Sequence, residues 1–146
     1  MSRSTRGRRN RPAAPGIELS AVLIAKDEAA HIADLAATLD GVVDEVVLLD
    51  TGSADATVEL ARAAGFWVFH RPWADSFADA RNAALSHARG RWVLSIDADE
   101  RLATAGPDDV RELIGALSRI EDGEKADGFW VGVDCFNSDD LDPRSV

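Results

Sequence analysis

Cysteine occurs once, at Cys135, in a chain of 146 residues. No intrachain disulfide can form, and a zinc site built on several thiolates is excluded. No apolar run approaches the roughly 20 residues that a membrane-spanning helix needs, so no transmembrane segment is expected. The first residues lack the apolar stretch of a secretory signal. No G-x-G-x-x-G follows the first apolar run, which disfavours a dinucleotide site, and no G-x-x-x-x-G-K-[ST] occurs, so a P-loop is absent. Apolar residues are not scarce: at 46% the composition is globular and excludes disorder throughout, a collagen repeat and a disulfide scaffold. The length suits one domain.

Positive charge is short in the body of the chain. The net charge is −10, with 16 basic and 26 acidic residues. Five of the basic residues (Arg3, Arg6, Arg8, Arg9, Arg11) fall in residues 1–16, which hold no acid. The remainder sets 11 basic against 26 acidic residues, a net of −15. So acidic a body is a poor general nucleic-acid binder, and no nucleic-acid partner is expected. Residues 1–16 read as a disordered basic tail, either a solvated leader or a contact for a polyanion or anionic lipid. From the lone cysteine and the missing signal a cytoplasmic location is expected. The tail leaves room for loose contact with the anionic inner membrane face.

Residues 17–134 read as one domain and residues 135–146 as a polar C-terminal tail. Ala21–Ala25 and Glu45–Asp50 are short continuous apolar runs, the mark of strands covered on both faces. Ile32, Leu35, Ala36 and Leu39 recur at helical spacing between them, with Gly41 as a stop. A helix over 58–64 ended by Gly65, a strand over 66–70, a helix over 78–88 stopped by Gly90 and a strand over 92–96 follow. Pro107 suits the first turn of another helix, and a fifth strand is expected over 129–133. Strands alternating with helices at this spacing predict an α/β fold with a mostly parallel sheet and flanking helices.

Ligands of such sheets bind outside the C-terminal strand ends. Three acidic features lie there: Asp27 with Glu28, Asp50, and Asp97 with Asp99. Asp97-Ala98-Asp99 offers hard oxygens that suit Mg²⁺ or Mn²⁺; two solvated acids, with Asp99 or Glu100 capping a turn, are the plainer alternative. Asp50 is either an acceptor for a base imide or ribose, or a helix cap or turn former before Gly52. Asp27 and Glu28 are either ligand-facing or plain acids at a helix N-terminus. Arg81 is the candidate cation for a phosphate-bearing ligand, or else the partner of Asp79 or Asp75. Trp73 and Phe77 read as packing residues, His31 and His87 as exposed helix residues, and Cys135 as inert; His70 receives no role. A phosphoacceptor receiver domain is disfavoured, because only one helix separates Glu28 from Asp50.

The runs SAVLIAKDEAAHI, DEVVLLDTGSADATVELARAAG, PWADSFADARNAAL and GRWVLSIDADERL, within residues 18–134, resemble family 2 glycosyltransferases of the GT-A fold. The resemblance implies a Rossmann-like donor domain, incomplete at its C-terminus, that binds a nucleotide-sugar, often a UDP-sugar, with Mg²⁺ or Mn²⁺. It implies that Asp50 binds the base, that Arg81 with Asn82 lies beside the nucleotide, that Asp97 is close to the ribose and that Asp99 holds the metal. Asp27 and Glu28 would line the same donor site. Asp27 departs from the family's usual Asn, and an acid there opposes a diphosphate unless it is turned away or capping. Nothing after Val133 resembles the family's later half, which supplies the acceptor site and catalytic base. No catalytic base is therefore assigned, the acceptor stays unknown, and the chain is read as truncated, to be completed by the missing C-terminal part, a partner chain or a second copy. The remaining alternatives are a non-catalytic nucleotide-binding partner module and a degenerate fragment.

Overall fold

Two apolar faces on each central strand require a helix layer above and below. The computed structural model, which describes residues 14–102 and 107–119, has that arrangement. Strands β1 (Leu19–Ala25), β2 (Glu45–Asp50), β3 (Trp67–His70) and β4 (Trp92–Ser95) alternate with helices α1 (Ala29–Leu39), α2 (Thr57–Ala63) and α3 (Phe77–His87). A further helix, α4, spans Pro107–Arg119. All strand pairs are parallel, in the order β3-β2-β1-β4. The expected fifth strand, Cys135, the C-terminal tail and residues 1–13 lie outside the described residues.

Ala21, Leu23 and Ala25 of β1 pack with Ile32, Leu35 and Leu39 of α1 and with Ala61 of α2. Val22, Val47 and Leu49 face the other way, onto Ala80 and Ala84 of α3. Helices α1 and α2 thus cover one face and α3 the other, as right-handed crossovers require when the chain first moves outward from β1 and then returns past it. Because the strands are parallel, Ala25, Asp50, His70 and Ser95 share one edge of the sheet. The register pairs Asp50 with both Ala25 and His70. The strand order reverses between β1 and β4, which opens the crevice next to Ala25 and Ile96.

Several local expectations change. Gly65, at a φ of 85°, ends α2 as a left-handed residue, but Phe66 precedes β3 and instead enters the core. Helix α3 ends through Ala88 in extended backbone, so Gly90 is not its stop. Gly90 is required for close approach: a Cβ there would lie 2.6 Å from Ser20 Oγ, 2.8 Å from Ser20 N and 2.9 Å from Trp92 O. His87 is not simply exposed; its ring stacks on Phe69 at 3.6 Å. Phe77 is 72% exposed and meets Trp73 edge-to-face at 4.6 Å. It occupies the first position of α3, at the sheet's carboxyl edge, where the Trp73 ring is its neighbour.

At the opposite edge, Glu45 accepts hydrogen bonds from Ser20 Oγ (2.6 Å), Arg89 N (2.6 Å) and Arg89 Nε (2.7 Å). Ser20 Oγ in turn accepts one from Gly90 N at 2.8 Å. The Arg89 guanidinium lies 5.0 Å from the Trp67 ring centroid. Helix α4 is tied to the same edge by Arg111, whose Nε donates to Gly41 O at 2.7 Å and whose Nη2 lies 3.1 Å from Asp44 Oδ1. A groove of about 220 Å³ lined by Val42, Asp44, Arg111 and Ile114 opens there, remote from the strand-end acids. Among the described residues no helix is long and apolar enough to cross a membrane.

Candidate functional site

The carboxyl edge is built by side chains that hold backbone amides. Asp50 ends β2 and is only 5% exposed. Its carboxylate accepts from Gly52 N at 3.2 Å and Ser53 N at 3.2 Å. Asp27 follows β1 at a φ of 55°, a backbone conformation that Asp tolerates better than most residues. Its Oδ1 accepts from Ala54 N at 2.7 Å and Asp55 N at 3.3 Å. Two carboxylates therefore secure four consecutive amides, 52 to 55.

The second loop answers in kind. Ser53 Oγ accepts from Asp27 N (2.9 Å), Thr57 Oγ1 from Glu28 N (2.8 Å) and Asp55 Oδ2 from Ala29 N (3.1 Å). Helix α1 is thus capped from another loop, while Asp27 and Glu28 precede its first turn instead of lying in it. Asp27's carboxylate is turned onto amides, one of the two conditions under which an acid is tolerated near a diphosphate. The Glu28 carboxylate lies 3.9 Å from His31 Nε2. Asp27→Asn keeps the Oδ1 acceptor and is expected to leave stability within about 0.5 kcal/mol, whereas Asp27→Ala should lose about 1 kcal/mol. Urea unfolding of both variants checks this; equal losses would contradict the capping role.

Burial, the largest influence on Asp50, raises its pKa, but the hydrogen bonds of Ser53, His70 and Gly52 outweigh it and hold the group below the ordinary value. Asp50 is therefore an oriented anion at neutral pH. His70 Nδ1 lies 3.3 Å from Asp50 Oδ2, and Arg62 Nη2 lies 3.3 Å from His70 Nε2. Arginine can only donate, so Nε2 accepts and Nδ1–H donates to Asp50. Sequence reasoning assigned His70 nothing; the available signal was a polar residue ending the strand beside Asp50.

The fourth strand leads into a turn. Ile96 and Ala98 are buried in the core while Asp97 and Asp99 are exposed between and after them. Glu100 N donates to Asp97 O at 3.1 Å, and Asp97 N donates to Glu100 Oε2 at 2.8 Å. Glu100 therefore caps the turn. Arg81 Nη2 lies 3.5 Å from Asp97 Oδ1, and Arg81 Nη1 also donates to Ser95 Oγ. The structure thus unites Arg81 with Asp97, not with Asp79 or Asp75. Asp99 has no hydrogen-bond or ion-pair partner among the described residues. Arg101, which sequence reasoning also missed, donates from Nη1 to Ala98 O and Glu100 O, both at 2.7 Å.

Asp50 and Asp27 thus meet through one loop, Arg81 and Asp97 meet directly, and Glu28 and Asp99 remain outside both groups. Among the described residues no group of three or more His, Cys, Asp or Glu side chains is placed to hold a metal. The exposed carboxylates of Asp97 and Asp99 fit a hard divalent cation whose other positions are filled by phosphate and water. They do not form a closed protein cage.

A family model described as glycosyl transferase family 2 matches residues 20–141. A TPR repeat-containing protein of Synechococcus elongatus is 44% identical over 85 residues, covering 58% of this chain and 21% of that protein. An uncharacterized glycosyltransferase of Rickettsia felis is 34% identical over 99 residues, covering 68% of this chain and 35% of that protein. Among solved structures, glucosyl-3-phosphoglycerate synthase from Mycobacterium tuberculosis, in complex with Mn²⁺, UDP and glucosyl-3-phosphoglycerate, superposes with a TM-score of 0.55 at 31% identity. That match covers 70% of this chain and 40% of that one. The chain spans about a fifth to a third of these curated relatives. Its parallel sheet and flanking helices are those of the GT-A fold, and the chain belongs to glycosyl transferase family 2.

Proposed function

We propose that this chain carries the donor site of a glycosyltransferase and binds a nucleotide-sugar, a UDP-sugar in particular, together with Mg²⁺ or Mn²⁺. The observation that carries the reading is the turn after β4. It presents Asp99, without a partner among the described residues, and Asp97, paired to Arg81, beside the crevice where the strand order reverses. Each residue has a distinct task. Asp50, ionised and fixed by amides, is the acceptor for the base imide. Arg81 supplies positive charge next to the nucleotide, and Asp97 faces the ribose. Asp99 holds the cation. Asp27 and Glu28 form the facing wall, with Asp27 acting through the loop it secures. When bound, the cation neutralises charge on the departing diphosphate. Sugar transfer to an acceptor belongs to the whole protein, with an acceptor site and base supplied by the chain's further residues, a partner chain or a second copy.

Thermal unfolding with UDP tests the reading. Free UDP at about 100 times its Kd stabilises a folded binder by about 2.7 kcal/mol. The midpoint is expected to rise with UDP plus Mn²⁺ and not with UDP plus EDTA. Asp99→Ala should abolish the rise while the unliganded midpoint stays within about 2 °C, since an exposed, unpaired acid contributes little to stability. A cooperative transition that ignores UDP and Mn²⁺ would defeat the donor-site assignment.

A further inference from the structure

We propose that Arg101 is the positioning residue that aims the Asp99 carboxylate, an inference that rests on Asp99 holding the donor's cation. The two bonds that close the turn join residue 97 to residue 100, and neither engages residue 98 or 99. Arg101 does. Its Nη1 bridges the carbonyls of Ala98 and Glu100, the residues on either side of Asp99. Its Nη2 donates to His31 O, on α1, at 3.2 Å and lies 4.0 Å from Asp34 Oδ2. One planar guanidinium therefore fixes the backbone about Asp99 and anchors it to the helix behind the opposite wall of the crevice. A lysine ammonium is a point charge on a flexible stem and does not reproduce that fork. Asp34 is 82% exposed, so the long ion pair adds little; the carbonyl contacts carry the effect.

A residue that orients a metal ligand changes metal affinity when it is replaced, by about 10- to 100-fold in known sites. The experiment uses the full chain with Arg101→Lys, Arg101→Gln, Asp34→Ala and Asp99→Ala. Mn²⁺ is titrated at saturating UDP, followed by the unfolding midpoint and by the electron paramagnetic resonance of free Mn²⁺. Both Arg101 variants are expected to raise the half-saturating Mn²⁺ concentration about tenfold. Raising Mn²⁺ about tenfold should then restore the parent's rise in midpoint, because Asp50 and its loop are untouched. Asp34→Ala should behave as the parent.

An unchanged Mn²⁺ midpoint in folded Arg101 variants, with the response lost in Asp99→Ala, would overturn the role of Arg101 and leave Asp99 as the cation residue. An unchanged response in Asp99→Ala would overturn the donor-site reading itself. Loss of cooperative unfolding in Arg101→Gln moves the test to Arg101→Lys, which keeps the charge. Loss in both would overturn the proposal by making Arg101 a determinant of the fold, not of the turn.

Discussion

Gly90→Ala is expected to destabilise the protein by about 2–3 kcal/mol, far more than a methyl group adds at an ordinary surface site. The added Cβ would lie within 3 Å of Ser20 N and Trp92 O. Both are backbone atoms in paired strands, so neither can rotate aside. It would also press on Ser20 Oγ, which accepts from Gly90 N and donates to Glu45. Relief therefore requires separating the β1–β4 pair or breaking the hydrogen-bonded group beneath it. Gly65→Ala is the control. Gly65 has a positive φ but open space around the position of a Cβ, and its replacement should cost about 1 kcal/mol from backbone strain alone. Denaturant midpoints distinguish the two. A Gly90 variant no less stable than the Gly65 variant would contradict the close approach.

Glu45→Ala should cost about 3 kcal/mol, because it leaves the Ser20 hydroxyl, the Arg89 amide and the Arg89 guanidinium without their acceptor. The Arg89 side chain is 39% exposed, so water recovers part of its loss and the value stays below the upper range for buried pairs. Glu45→Gln keeps one acceptor and should fall between the parent and the alanine variant.

The same group makes stability depend on pH. Burial raises the pKa of Glu45, but hydrogen bonds from Ser20 and Arg89 and the arginine charge outweigh it, so the folded-state value lies below 4.5. Asp44 and Asp50 are lowered from 3.8 by their amide and side-chain donors, again against burial. A carboxylate with a depressed folded pKa stabilises the fold fully above its unfolded pKa and loses that contribution as pH falls through the folded value. Stability should therefore be level above about pH 5.5 and decline from about pH 4.5 downward. The urea midpoint as a function of pH measures this. Glu45→Gln should reduce the acid slope; an unchanged slope would show that Glu45 does not contribute to it.

Much of the candidate site was legible because it lies at the ends of short apolar runs. Strand β2 closes on Asp50, and β4 leads directly to Asp97 and Asp99, so their common edge follows from parallel strands alone. What each side chain does there was not legible. Asp27 and Glu28 lie side by side, yet one secures amides 27 positions away while the other faces His31. Arg81 had acids within its own segment but pairs with Asp97 across the sheet edge. His70 and Arg101 carried no motif of their own, since their partners are Asp50 on the adjacent strand and carbonyls of the turn and of α1.

The sequence by itself determined the alternation of strands and helices, the family and the edge of the sheet on which the strand-end acids lie. Apolar period and strand-end residues are local properties, readable within a dozen positions. Tertiary structure alone decided that Gly90 is a contact and not a helix stop, and that Phe77 is exposed. It also decided that Asp27 is a cap, and that Arg101 reaches around Asp99 to His31. Those outcomes depend on pairings between positions up to 70 apart. Donors and acceptors choose partners by proximity in the folded chain, and only the sheet order and the crossovers bring these residues together.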